Sequence, residues 1–157
     1  MALILESPAF PPNGPIPATH TCEAGDVSPP LKWSGAPAGT RSFVLIVDDP
    51  DAPDPAAPKM TWVHWVLYNI PASTSMLPAG AARSGLPQGT MAGTNDFRRT
   101  EYGGPCPPIG THRYFHKLYA LDTTLDISGA SKPTVESAMK GHVLAEAVLV
   151  GTYRKAR

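Results

Sequence analysis

Nineteen prolines, spread from Pro8 to Pro133 along 157 residues, limit this chain more than any other feature. A proline inside a helix removes a backbone donor and its ring clashes with the preceding turn. A helical bundle is therefore excluded. Between the prolines lie short β-rich runs, Ser42 to Val47, Thr61 to Ile70 and Arg113 to Leu121. The first reads Phe43-Val44-Leu45-Ile46-Val47, apolar on both faces, as a central strand covered on each side would be. The pattern predicts a mainly β protein, an antiparallel β-sandwich with long Pro/Gly-rich loops over 48–60 and 93–111. One helix is expected, over 133–145. Pro133 suits its first turn, Ser131 or Thr134 can cap it, Glu136 suits its positive end, and Val135, Met139 and Val143 form one stripe. Residues 147–153 then return to strand character. The length fits a single domain over 1–157.

Hydrophobic residues make up 42% and charged residues 17%, and acidic and basic residues balance at 13 each. A zero net charge gives no bulk attraction to nucleic acid or to an anionic membrane, so any preference for an anion must be local. No apolar run approaches the roughly 20 residues that cross a bilayer, and the N-terminal stretch lacks the basic and apolar regions of a signal peptide. The expectation is a cytoplasmic protein with no integral membrane association. Cys22 and Cys106 lie far apart and have no metal-type spacing, so each reads as a free buried thiol.

Three runs carry the chemistry. Asp49-Pro50-Asp51-Ala52-Pro53 closes a strand with two carboxylates in a loop stiffened by proline, where a cis bond is expected at Ala52-Pro53. Trp62-Val63-His64-Trp65 places an imidazole on an apolar strand, on the face of Val66 and Tyr68 by simple alternation. Gly110-Thr111-His112-Arg113-Tyr114 projects an imidazole and a phenol from one strand face, both able to donate to an oxyanion. Glycine-flanked amides at Gly103-Gly104-Pro105 can add an anion-binding concavity. A carboxylate accepting one ring proton would leave the other imidazole nitrogen aimed at the site, in a charged form. Asp48 reads as a solvated or turn residue, His116 as a core spacer, and Arg98 and Arg99 as solvated surface charge.

The same runs resemble, in order and spacing, the phosphatidylethanolamine-binding protein family in its bacterial and archaeal Raf-kinase-inhibitor-like branch. They are joined by Thr21-Cys22, Ser28-Pro29-Pro30-Leu31-Lys32-Trp33, Asn69-Ile70-Pro71, Tyr102 to Pro108, and Gly141-His142-Val143-Leu144-Ala145. The resemblance implies a pocket for a phosphate-type anion or phospholipid head group such as phosphoethanolamine. Asp49, His64, Gly104, Pro105, His112 and Tyr114 stand at matching positions, and Asp51 and Pro53 complete the expected ligand-binding set. No catalytic residue, metal or cofactor is expected. The resemblance further implies a non-catalytic regulator or inhibitor of a partner enzyme, a kinase or serine protease, with a homodimer as one arrangement of the branch. Lys59-Met60 stands where some members place a pocket tyrosine, so that hydroxyl is missing. The competing readings are a metal-assisted phosphoester hydrolase built from the His and Asp residues, and a structural sandwich with a vestigial pocket.

Overall fold

The computed structural model describes residues 2–155. Met1 and residues 156–157, the two ends of the expected 1–157 domain, lie outside the described residues. Two antiparallel sheets form the frame. The smaller has order β1-β2-β5, with β1 at Ile4–Glu6, β2 at Leu31–Ser34 and β5 at Met76–Leu77. The larger has order β6-β4-β3-β7-β8, with β3 at Ser42–Ala52, β4 at Met60–Pro71, β6 at Met91–Ala92, β7 at Thr111–Leu121 and β8 at Val143–Arg154.

The apolar run of β3 explains this layering. Phe43, Leu45 and Val47 point to one side, where they pack with Trp65 and Leu67 of β4, Leu118 of β7, and Leu5, Trp33 and Leu77 of the smaller sheet. Val44 and Ile46 point to the other side and pack with Val66, Tyr68, Val135 and Met139. Each fully buried aliphatic side chain of this kind contributes roughly 1.5–3 kcal/mol. A strand apolar on both faces therefore becomes the middle of a three-layer stack.

Several expectations change. Helix α2 spans Lys132–Met139 and buries Val135 and Met139 as the stripe predicts, but it ends six residues early. Gly141 has φ 82°, a left-handed conformation that stops a helix, so Val143 opens β8 instead of extending the stripe. A four-residue helix α1, Ala81–Ser84, was not anticipated. The segment after β3 is shorter than 48–60, because β3 runs to Ala52 and β4 starts at Met60. Asp48 is not solvated: it is 1% exposed and pairs with Lys117 at 3.0 Å and Lys132 at 2.8 Å. Cys22 and Cys106 are neither free nor buried; they form a disulfide, and both are exposed. No helix among the described residues is long and apolar enough to cross a membrane.

Candidate ligand-binding site

A register shift builds the site. In the β3–β4 ladder Val47 faces Trp65 and Asp48 faces Val63, which leaves His64 as an extra residue in a β-bulge. Simple alternation would place His64 with Val66 and Tyr68. The bulge breaks that alternation and turns His64 toward Asp49 and Trp62 instead, while Val66 and Tyr68 stay on the α2 side. One inserted residue thus converts a core position into a cavity position.

The cavity measures about 310 Å³. Its polar members are Asp49 from the end of β3, His64 from β4, and His112 and Tyr114 from the start of β7. Its apolar wall is Ala52, Pro53, Met60, Trp62, Phe97, Pro107 and Pro108, with Cys106 at the rim. The Ala52-Pro53 bond is cis, as expected. Phe97 packs edge-on against both Trp62 and His64, and Tyr114 edge-on against His64 and nearly parallel to His112.

Hydrogen bonds set the protons. His112 Nδ1 lies 2.5 Å from Asp49 Oδ2, and His112 Nε2 lies 2.9 Å from the Ile109 carbonyl. A carbonyl can only accept, so Nε2 carries a proton, and a second proton sits between Nδ1 and Asp49. The pair is therefore neutral as a unit. Burial raises the Asp49 carboxyl above its ordinary range, opposed by the bond to His112 and by the Asp51 amide, which donates to Oδ1 at 2.7 Å. His64 differs. Its Nδ1–H donates to the Gly103 carbonyl at 2.6 Å, and burial lowers its pKa from 6.5 to about 4. At neutral pH its Nε2 is thus an acceptor. Tyr114 is 1% exposed, burial holds its hydroxyl well above the ordinary phenol range, and that hydroxyl has no hydrogen-bond partner among the described residues. The cavity therefore offers one donor, Tyr114 Oη–H, and one acceptor, His64 Nε2, beside a neutral Asp49–His112 pair.

The expected charged imidazoles are not what the geometry presents. His64 is neutral, and the second nitrogen of His112 is engaged by a backbone carbonyl rather than aimed into the cavity. Three expected ligand residues stand outside the lining. Asp51 is clamped by Arg113, from Nη2 at 2.8 Å, Nε at 3.0 Å and the backbone N–H at 2.9 Å, and this pairing holds its carboxyl below the usual range. The Gly103 amide donates to the His64 carbonyl, and the Gly104 amide to Asp26 Oδ1. Neither is free to cradle an anion. Gly104 is required for a different reason: a Cβ there would lie 2.4 Å from the His20 carbonyl oxygen. Pro105 likewise serves the loop, its carbonyl accepting the Cys22 amide. His116 is the core residue expected, bonded through Nδ1 to the Tyr114 and Leu149 carbonyls and pushed down to about 4 by burial.

Two contributions were missed. Trp62 and Phe97 form aromatic wall. Asn95, 5% exposed, donates to the His64 and Glu101 carbonyls and accepts the Phe97 and Arg99 amides. It thereby fixes the loop that carries Phe97. The Asn95-Asp96 pair in a Gly-rich stretch is the sort of side-chain turn signal that marks such an anchor. Among the described residues no three His, Cys, Asp or Glu side chains converge as a metal-ligand group.

Comparison with known proteins identifies the family and the fold. Residues 6–154 match the family model for phosphatidylethanolamine-binding protein. A UPF0098 protein of Methanothermobacter thermautotrophicus is 49% identical over 96% of this chain and 98% of its own length. Two crystal structures superpose closely. A phosphatidylethanolamine-binding protein homologue from Chlamydia trachomatis has a TM-score of 0.90 and 39% identity, covering 99% of both chains. YbcL of Escherichia coli has a TM-score of 0.89 and 34% identity, covering 99% of this chain and 100% of its own. The carboxypeptidase Y inhibitor, solved with its cognate proteinase, shares the fold alone, at 15% identity and a TM-score of 0.63 over 99% of this chain and 84% of its own. By sequence and by fold, the chain belongs to the phosphatidylethanolamine-binding protein family, among its bacterial and archaeal members.

Proposed function

We propose that this protein is a non-catalytic binding protein whose cavity takes a phosphate-type head group through Tyr114 and His64. The observation that carries the reading is the Tyr114 hydroxyl. Tyr114 is buried as a residue and lines the cavity, and its hydroxyl has no partner among the described residues. A donor left open at a cavity can bond a ligand oxygen for a net gain of about 0.5–1.5 kcal/mol. His64 Nε2, an acceptor, complements a ligand that carries its own proton, such as a phosphate monoanion or the ammonium of phosphoethanolamine. Asp49 holds His112 beside the same space, Pro53 belongs to the wall, and Asp51, Gly104 and Pro105 support it from behind.

Regulation of a partner enzyme is the wider role that fits this reading, with a kinase or serine protease as the partner class; the inhibitor that shares the fold supports the protease side. A metal-assisted hydrolase has less behind it, since His112 is already committed on both nitrogens and no donor set converges among the described residues. A cytoplasmic location remains part of the proposal. The exposed disulfide bears on it, because such bonds persist mainly in oxidising compartments.

Isothermal titration with O-phosphoethanolamine tests the reading. Saturable binding to the native protein, weakened roughly tenfold in Tyr114→Phe by loss of one hydrogen bond, is expected. Equal binding to both proteins, or none to the native one, would overturn it.

A further inference from the structure

The cavity wall after Pro105 is held in an unusual way. Pro107 and Pro108 have no amide hydrogen, and no backbone–backbone hydrogen bond joins residues 106–110 to the described chain. Beyond the burial of Pro107, two attachments fix this five-residue stretch. At its start Cys106 is bonded to Cys22, and at its end the Ile109 carbonyl accepts the His112 Nε2 proton. Pro107 and Pro108 line the cavity between those points. Both cysteines are exposed, so a thiolate can reach the bond. Exposed disulfides are the ones most open to exchange.

We infer that the Cys22–Cys106 disulfide is a thiol-exchange site that acts as a clasp on the binding cavity. The co-reactant is a dithiol of low molecular weight or a dithiol protein. Its thiolate attacks one sulfur of the bond and forms a mixed disulfide, and the other cysteine leaves as a thiolate that takes a proton from water. The second thiol of the reductant then displaces the remaining cysteine. The protein disulfide is reduced to two thiols, and the dithiol is oxidised to its own disulfide.

Opening the clasp has a chemical consequence. With the wall held, the Ile109 carbonyl occupies His112 Nε2–H. With residues 106–110 released, that donor turns to the cavity, next to the Tyr114 hydroxyl. The oxidised protein is thus the weaker anion binder and the reduced protein the stronger one. The direction of this effect rests on the cavity being the ligand site proposed above; the release of the wall does not.

Backbone amide NMR relaxation of the oxidised protein and of the protein reduced with tris(2-carboxyethyl)phosphine, with Cys22→Ser as a second unclasped form, reads the wall directly. Lower order parameters at the Cys106, Ile109 and Gly110 amides, with β3, β4 and β7 unchanged, are the expected result in both unclasped forms. Unchanged order parameters at those amides would overturn the inference. So would loss of order throughout the protein, which would make the bond a structural staple. Inorganic phosphate titrated into the same samples reads the consequence. A gain of roughly tenfold on reduction, the size of one hydrogen bond to a charged group, is expected. Equal or weaker binding after reduction would overturn the proposed role of the clasp. No binding in any form, with local release still seen, would instead overturn the proposed function while leaving the exchange site in place.

Discussion

Asp48 and Asp49 are neighbours in one strand, both almost fully buried, and they do opposite things. Asp48 points to the α2 side and is neutralised by two lysines whose ammonium groups reach in from the edge. Asp49 points to the cavity side and shares a proton with an imidazole that is itself 1% exposed. One carboxylate is tied to fixed cations and serves the fold. The other is tied to a titratable group beside the cavity that we propose as the ligand site. The difference teaches that burial alone does not mark a functional carboxylate; the partner and the adjoining cavity do.

Acid should separate the two faces most strongly. His64 and His116 both lie on the cavity side of the larger sheet, and burial lowers both from 6.5 to about 4. Between those values the unfolded chain takes up two protons that the native protein refuses. Stability is therefore full above pH 6.5 and is lost as the pH falls toward 4, by roughly 3 kcal/mol for each histidine. Asp49, with its raised value, works the other way and offsets part of this loss at the acid end. Urea unfolding across this range checks the slope, and His116→Phe should halve it. A flat profile would mean that one or both rings are charged in the native state.

Removing Asn95 should cost about 3 kcal/mol, because Asn95→Ala removes four hydrogen bonds at once, although the His64 carbonyl keeps the Gly103 amide. It should also weaken ligand binding by loosening the Phe97 wall. Asp48→Ala should cost less, about 2 kcal/mol, since Lys117 and Lys132 are partly exposed and can regain water. Unlike Asn95→Ala, it should leave head-group affinity unchanged, by calorimetry on the folded variant. A binding defect in Asp48→Ala would show that the two faces are coupled. The smallest effect on stability belongs to Tyr114→Phe, within about 1 kcal/mol, because the hydroxyl makes no bond to lose. Its cost should appear in binding instead.

Much of this was readable in the residues, and the failures share a cause. Proline content and the double-faced run of β3 were enough for a mainly β architecture, and the three motif runs do meet at one cavity. His64 does line the cavity, but as a neutral imidazole and on the face opposite to the one expected, because a bulge depends on pairing with β3 and leaves no mark in a single strand. Gly103 and Gly104 look like free amides in sequence; only the fold shows Asp26 and the His64 carbonyl taking them. The Cys22–Cys106 bond joins two loops brought together by the sheet, and spacing along the chain cannot report that. Asp48 required knowing that Lys117 and Lys132 arrive from different elements. Local chemistry was legible, whereas partners distant in sequence were not.

The most direct test is nitrogen NMR of the imidazole rings at pH 7 during titration with O-phosphoethanolamine. The free protein should show His64 neutral, with its proton on Nδ1, and addition of ligand should produce saturable shifts at His64 Nε2 and Tyr114 with a common midpoint. A charged His64 before any ligand is added, or no saturable response at either residue, would contradict the assignment of this cavity as the binding site.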